Sequence, residues 1–166
     1  GAGAVVLRET DGPGEVLSTF IGADGTNEDV MIVPGGGARC PATRESVDER
    51  KHFIRMRGRE VYEFAVRKMT EMAEKAAASA GLRARELDWI IPHQVNLRIL
   101  ESAAKRLEIP MEKLRINIDK YGNTSAASVP IALDEARRAG HFKSGQMICL
   151  VAFGAGLTWS SALLRW

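Results

Sequence analysis

The chain has 166 residues, of which 45% are apolar and 27% charged. This composition is typical of one globular domain with its own core, and it excludes a disordered chain, a collagen-like repeat and a disulfide-rich miniprotein. The 23 Lys and Arg against 21 Asp and Glu leave a net charge of +2, which is too small to indicate a nucleic-acid partner.

The first predicted elements are two strands, residues 3–9 and 15–22, joined by the Gly- and Pro-containing turn at residues 11–14. Both runs are rich in β-branched and aliphatic residues, which favours an antiparallel pair. Residues 25–57 then form a long excursion without sustained periodicity. We call residues 25–57 the basic excursion, because positions 39–59 carry seven Lys or Arg against three acidic residues.

Strands and helices alternate through the rest of the chain. Apolar residues at three- and four-residue spacing predict a helix from Gly58 to Gly81, a second helix after the N-cap Asn96, and a third with Pro130 in its first turn and its end by Gly140. The predicted strands are residues 87–92, 114–118, 146–153 and 157–166. This order predicts a single α/β domain over residues 1–166, in which helices cover a central sheet.

The longest uncharged stretch, residues 147–164, contains 18 residues but is interrupted by Gly154, Gly156 and several hydroxyl side chains. We therefore expect two buried strands there and no membrane partner. The first residues show no basic region followed by an apolar one, so we expect no secretory signal within this sequence. The chain starts without Met and already inside an apolar run, so we expect that an N-terminal part is missing.

Two polar residues follow neighbouring predicted strands. His93 comes directly after residues 87–92, and Asn123 follows residues 114–118. Ligands of open α/β sheets bind at such strand ends, and two hydrogen-bond donors that converge there suit an oxyanion. Taken separately, each residue is more simply explained as structural: His93 as a hydrogen-bonded side chain at a strand end, and Asn123 as a turn or cap residue.

Three further features have competing explanations. The sequence Phe153-Gly154-Ala155-Gly156 suits either a tight hairpin or a site where a substrate approaches the backbone. Cys149 lies in an apolar run and is predicted to be an inert core thiol, and nothing pairs Cys40 with a base. With no CxxC pair or metal-spaced histidine, both cysteines indicate free thiols in a reducing, cytoplasmic compartment and no metal.

Three strings in order and spacing resemble the 3-oxoacyl-[acyl-carrier-protein] synthase III family. They are Asp88 to Ile99 (DWIIPHQVNLRI), Tyr121 to Pro130 (YGNTSAASVP) and Ala152 to Trp159 (AFGAGLTW). The resemblance covers this whole chain but only the C-terminal half of the family's chain. It implies half of a thiolase-like fold, layered α-β-α with a five-stranded mixed sheet.

The resemblance also implies a decarboxylative condensation between an acyl-CoA primer and malonyl-acyl-carrier-protein, with no cofactor. Residues that match His93 and Asn123 would stabilise the malonyl-derived enolate, and the backbone at Ala155 would form a second oxyanion hole. Further matches are a carrier-protein contact region and a pantetheine tunnel. The first comprises Gln94, Val95, Asn96, Leu97 and Arg98, and the second Gly58, Tyr62, Asn96 and Phe153.

The family's nucleophilic cysteine has no match here, because neither Cys40 nor Cys149 has its context at a helix start. We therefore expect the chain to be inactive in condensation without an N-terminal half that carries this cysteine. The resemblance implies acyl carrier protein and coenzyme A thioesters as partners, and a homodimer of the whole enzyme. Two alternatives remain: a homologue from secondary metabolism, and a non-catalytic module that binds carrier protein or coenzyme A.

Overall fold

The computed structural model describes residues 1–9 and 11–166 of the chain. A mixed β-sheet lies at the centre of the fold. Within these residues the strands are β1 Glu15–Ala23, β2 Met31–Ile32, β3 Arg55–Met56, β4 Trp89–Pro92, β5 Met147–Gly154 and β6 Thr158–Arg165. The main sheet has the order β1-β6-β5-β4. Strands β4 and β5 are parallel, and β6 is antiparallel to both of its neighbours.

Helices cover both faces of this sheet. In the same described residues they are α1 Arg44–Asp48, α2 Gly58–Ala78, α3 Leu97–Leu107, α4 Ile118–Tyr121 and α5 Ser128–Arg138. Alternation along β5 directs Cys149, Val151 and Phe153 into the core under α2 and α3, and Ile148 into a smaller core under α5. The α-β-α layering predicted from the sequence is confirmed.

The predicted helix boundaries follow from local sequence signals. Helix α2 buries an apolar stripe that includes Phe64 and Met69, and Gly81 ends the turn after it with a φ of +73°. The Asn96 side chain caps α3 by accepting a hydrogen bond from the Arg98 N–H at 2.9 Å. Pro130 lies in the first turn of α5, where its missing N–H costs no helical hydrogen bond.

The strand predicted at residues 3–9 is not formed. In this described segment the backbone has no regular secondary structure, and Val5, Val6 and Leu7 are exposed. The expected partner, β1, pairs instead with β6. Gly3 runs so close to Pro130 that a Cβ at this position would come within 2.4 Å of the proline Cγ, so any larger residue would force this segment or the proline to shift.

The strand predicted at residues 114–118 is reduced to one parallel bridge between Leu114 and Ile90. The Arg115 N–H donates to the Ile90 carbonyl at 2.9 Å, but the chain then turns into α4 at Ile118. The described sheet therefore has four strands and a bridged edge segment in place of five strands. The mixed α/β class is unaffected.

The basic excursion is longer than an ordinary loop, as predicted, but it is not without structure. It contains α1 and the two-residue strands β2 and β3, which pair with each other. Val30 is its anchor in the main core, with 2% of its surface exposed. Such short elements have no sustained period of 2 or 3.6 residues, which is why the sequence pattern did not reveal them.

Candidate functional site

His93 lies where the carboxyl ends of β4 and β5 meet. Its backbone N–H donates to the Val151 carbonyl at 2.8 Å, which ties the residue after β4 to the neighbouring strand. Its Nδ1 atom lies 2.7 Å from the hydroxyl of Ser128, at the start of α5. Phe153 packs edge-on against the imidazole, with ring centroids 5.5 Å apart at an angle of 77°. The three sequence strings thus meet around this one ring.

The partly buried position of His93 affects its charge. Removal from water penalises the imidazolium form, so burial lowers the pKa of His93 below the usual 6.5. The side chain is therefore neutral at neutral pH. A neutral imidazole has one N–H donor and one acceptor nitrogen, and Nε2 has no hydrogen-bond partner among the residues that the structure describes.

Asn123 lies in the exposed loop between α4 and α5. The Ser125 N–H donates to the Asn123 Oδ1 at 2.9 Å, which identifies the oxygen of the amide. The Nδ2 group has no partner in residues 1–9 or 11–166 and can donate two hydrogen bonds. Since this loop runs directly into Ser128, the histidine and asparagine donors are connected through the first turn of α5.

Gln94 is fully buried, with 0% of its surface exposed. Its Nε2 donates to the carbonyls of Pro92 at 2.9 Å and Arg115 at 3.0 Å, and its Oε1 accepts from the Asn117 N–H at 3.0 Å. The side chain therefore joins the end of β4 to the segment that leads to Asn123. We expected Gln94 at the carrier-protein surface, but a protein docked there would not contact this side chain.

Glu135 holds the next section of the same edge. It accepts hydrogen bonds from Asn117 Nδ2 at 2.6 Å, Lys120 Nζ at 2.7 Å and the Tyr121 hydroxyl at 2.6 Å. These donors lower the pKa of Glu135 to about 2. We call residues 92–96 and 114–128 the donor edge, because they carry both candidate donors and are joined by Gln94, Asn117 and Ser128.

The predicted pantetheine and carrier-protein positions are distributed between the surface and the interior. Gly58 is exposed at the start of α2, and the Tyr62 hydroxyl lies 2.6 Å from the Ser102 hydroxyl on α3. Asn96, Leu97 and Arg98 are exposed where α3 begins, and Val95 packs partly against the core. Phe153 is mostly buried, with 8% of its surface exposed, and its ring makes the edge-on contact with His93.

Ala155 is exposed in the turn between β5 and β6, the hairpin that the sequence allowed at this position. The turn is tied to the end of β1, because Leu157 and Asp24 exchange two backbone hydrogen bonds of 2.6 and 2.7 Å. These bonds hold the turn beside the sheet edge, so the Ala155 backbone is presented by a supported loop.

The remaining cysteines and histidines lie elsewhere. Burial raises the pKa of the Cys149 thiol to about 12, which makes it inert at neutral pH. Cys40 and His52 belong to the basic excursion, and His141 lies 5.9 Å from the Trp89 ring between α5 and β5. In the described residues, no three His, Cys, Asp or Glu side chains form a group that could hold a metal ion.

The sequence interpretation missed Ser128, Asn117 and Glu135. Ser128 lies in the same string as Asn123. Its position at the start of an apolar helix is the only local signal that its hydroxyl makes a specific hydrogen bond. Asn117 and Glu135 are 18 positions apart, and no local pattern connects them. None of the described helices is both long and apolar enough to cross a membrane.

The sheet order and the helical layers on both faces are those of a thiolase-like α/β domain. A family model for the C-terminal part of 3-oxoacyl-[acyl-carrier-protein (ACP)] synthase III matches residues 77–166, and the chain belongs to this family. It is 49% identical over 166 residues to the beta-ketoacyl-[acyl-carrier-protein] synthase III of Roseiflexus sp. (strain RS-1), covering 100% of this chain and 50% of that protein.

Solved structures agree with this assignment. The 3-oxoacyl-[acyl-carrier-protein] synthase III from Aquifex aeolicus VF5 matches with a TM-score of 0.81 and 40% identity, over 95% of this chain and 46% of that one. The priming beta-ketosynthase from the R1128 polyketide biosynthetic pathway matches with a TM-score of 0.75 and 32% identity, over 93% and 46%. The chain spans about half the length of the curated relatives it matches.

Proposed function

We propose that the chain is the C-terminal half of a 3-oxoacyl-[acyl-carrier-protein] synthase III that starts fatty acid synthesis, an acyltransferase that condenses an acyl-CoA primer with malonyl-acyl-carrier-protein. The observation that carries the proposal is the pair of unpartnered donors at the donor edge, His93 and Asn123. Both are held by hydrogen bonds on their other side, so they are organised before a substrate binds.

The donors act on the malonyl thioester. When the bond between its Cα and carboxylate breaks, CO₂ leaves and the electron pair moves into the thioester as an enolate. The imidazole N–H of His93 and the amide of Asn123 donate to the enolate oxygen and lower the barrier. The carbanion then attacks the carbonyl carbon of the acyl group on a cysteine of the N-terminal half, and the backbone N–H at Ala155 donates to the tetrahedral oxyanion that forms. This intermediate collapses as its C–S bond breaks, which releases the cysteine thiolate and the 3-oxoacyl thioester on the carrier protein. No cofactor takes part.

This mechanism divides the work between two halves. Cys149 is an inert core thiol, and we propose that Cys40, which lies in the basic excursion and outside the donor edge, does not carry the acyl group. The nucleophile is assigned to the N-terminal half that the relatives contain. The whole enzyme is proposed to be a homodimer. The two free thiols of this chain support a reducing, cytoplasmic location.

The test is made in an enzyme that joins this chain to the N-terminal half. His93→Ala and Asn123→Ala should each lower CO₂ release from malonyl-acyl-carrier-protein by about 10²–10³-fold. Both variants should still be acylated on the cysteine by acyl-CoA, as measured by intact mass spectrometry. His52→Ala and Asn27→Ala are the matched controls, since both lie in the basic excursion. Loss of acylation in both site variants would overturn the assigned roles.

The pH dependence supplies a second readout. Because burial lowers the pKa of His93, the neutral donor persists below pH 6.5. The acid limb of the decarboxylation rate should therefore have its midpoint below 6.5. A midpoint above 6.5 would contradict a neutral histidine donor.

The carrier protein is proposed to dock where α3 begins. Arg98 is exposed there beside Leu97, with 45% of the leucine surface accessible, and an arginine suits the phosphate and acidic surface of a carrier protein. Arg98→Glu should weaken binding most at low salt. Arg106→Glu, in the last turn of the same helix, is the control. Unchanged affinity at low salt would remove Arg98 from this interface.

A second candidate is supported by the match to a priming beta-ketosynthase of a polyketide pathway. Such an enzyme would use the same donors with another acyl acceptor or primer. Steady-state rates with a panel of acyl-CoA primers and two carrier proteins, one from each kind of pathway, distinguish the candidates. Binding of carrier protein or coenzyme A without turnover by any joined enzyme would instead favour a non-catalytic module.

A further inference from the structure

Ser128 lies between two polar groups of the donor edge. Its hydroxyl oxygen is 2.7 Å from His93 Nδ1 and 3.2 Å from the Gln94 backbone nitrogen. The residue is almost completely enclosed, with 1% of its surface exposed. Water therefore does not satisfy this hydroxyl, and its hydrogen bonds are those given by the neighbouring protein atoms.

The direction of both hydrogen bonds follows from the hydrogens available. A backbone N–H can only donate, so the Ser128 oxygen accepts from Gln94. The serine has one hydroxyl proton, and within residues 1–9 and 11–166 its only acceptor is His93 Nδ1. If Nδ1 carried the imidazole proton, two donors would face the serine oxygen and the buried hydroxyl proton would have no acceptor.

The rest of the imidazole environment restricts its position but not its tautomer. The hydrogen bond from the His93 N–H to the Val151 carbonyl fixes the backbone of His93, and the edge-on Phe153 ring limits rotation of the imidazole. Neither contact distinguishes a protonated from an unprotonated Nδ1. The serine is therefore the group that can set the tautomer.

We propose that Ser128 is a positioning residue that holds neutral His93 with its proton on Nε2, so that the outward nitrogen is always the donor. Ser128 touches no substrate in this role. The importance of the tautomer for turnover rests on the proposed function, in which Nε2–H donates to the enolate oxygen, whereas the tautomer itself is a property of the free protein.

The direct test is ¹⁵N nuclear magnetic resonance of the joined enzyme labelled at histidine, at a pH where His93 is neutral. His93→Asn assigns the signals by their disappearance. We expect Nδ1 to give the signal of an unprotonated nitrogen that accepts a hydrogen bond, and Nε2 that of a protonated nitrogen. A proton on Nδ1 in the unmodified protein would overturn the proposal without reference to activity.

Ser128→Ala tests the consequence. We expect the Nδ1 signal to lose its hydrogen-bond shift and the maximal decarboxylation rate to fall about 10–100-fold, as for other partners that fix a functional histidine ring. The KM for malonyl-acyl-carrier-protein should change little. Ser161→Ala is the matched control, because Ser161 is also buried and its hydroxyl has no partner in the described structure.

The outcomes separate the two proposals. An unchanged Nδ1 signal and rate in a folded Ser128→Ala enzyme would overturn the positioning role. If that variant does not fold, the spectrum of the unmodified enzyme still decides the tautomer. Full decarboxylation by His93→Ala would instead overturn the proposed function, whatever tautomer is observed.

Discussion

The donor edge and the basic excursion are held together by different kinds of interaction. At the donor edge, the side chains of Gln94 and Ser128 are buried and make hydrogen bonds of 2.7–3.2 Å to neighbouring groups. In the basic excursion, side chains are joined mainly at the surface. Arg39 contacts Glu28 at 2.5 Å with 85% of its side chain exposed.

The difference concerns how strongly each interaction fixes a position. A buried hydrogen bond has no competition from water, so breaking it leaves polar groups unsatisfied. An exposed ion pair exchanges readily with water and salt and contributes little to stability. The chain therefore places buried hydrogen bonds around His93 and in the segment that leads to Asn123. The excursion is held by its backbone, by Val30 and by the Thr43–Ser46 cap of α1.

The largest effect is expected from Gln94→Leu. The leucine fills a similar space with an apolar side chain, but it cannot form the three hydrogen bonds that Gln94 makes to backbone groups. At about 1 kcal/mol or more for each unsatisfied group, the free energy of unfolding should fall by about 3 kcal/mol. Urea unfolding of the joined enzyme measures this loss. Asn27→Ala in the basic excursion is the control, and an equal loss in both variants would remove the contrast between the regions.

A smaller, pH-dependent effect is expected from Glu135→Gln. The folded-state pKa of about 2 lies below the ordinary 4.5, so the carboxylate stabilises the fold above pH 4.5. This stabilisation is lost as the pH falls through about 2. With a discount for its partial exposure, we expect the variant to lose about 1–2 kcal/mol at pH 7.

The measurement for Glu135 is urea unfolding of both proteins between pH 7 and pH 2. The difference between them should be constant down to about pH 4.5 and shrink below it. A difference that persists unchanged at pH 2 would show that the carboxylate charge is not the cause.

The smallest effect is expected from Arg39→Ala, which removes the exposed pair with Glu28. We expect no measurable shift in the urea midpoint at physiological salt, because both side chains remain well hydrated. Repeating the experiment at low salt sharpens the comparison, since screening is weaker there. A large, salt-independent loss would mean that the excursion is as rigidly held as the donor edge.

Local signals were sufficient to predict most of the fold and the position of His93 at the sheet edge. Asn96 caps α3 and Pro130 lies in the first turn of α5 because both effects depend on nearby residues. His93 falls at the sheet edge because β4 is an uninterrupted apolar run that ends just before it. Residue type and spacing carry this information directly.

Interactions across the sequence explain what was missed. Residues 3–9 have a good strand composition, but the start of this segment lies against α5, where Gly3 crosses Pro130, and not along the free edge of β1. Gln94 reads as a polar residue in a loop, and only its three backbone partners make burial favourable. Ser128 and His93 are 35 positions apart, so their contact is a property of the folded chain.

The pairing of β1 with β6 also has a consequence for the order in which the protein folds. Strand β6 lies inside the sheet, between β1 and β5, and its Arg165 pairs with Glu15 across 150 positions. On the ribosome, β1 emerges long before β6, so the β1 edge that pairs with β6 stays unpaired until β6 has been synthesised. Helices α2, α3 and α5 can form as they appear, but the sheet closes only after translation of β6, and it does so through contacts of high sequence separation, which form slowly.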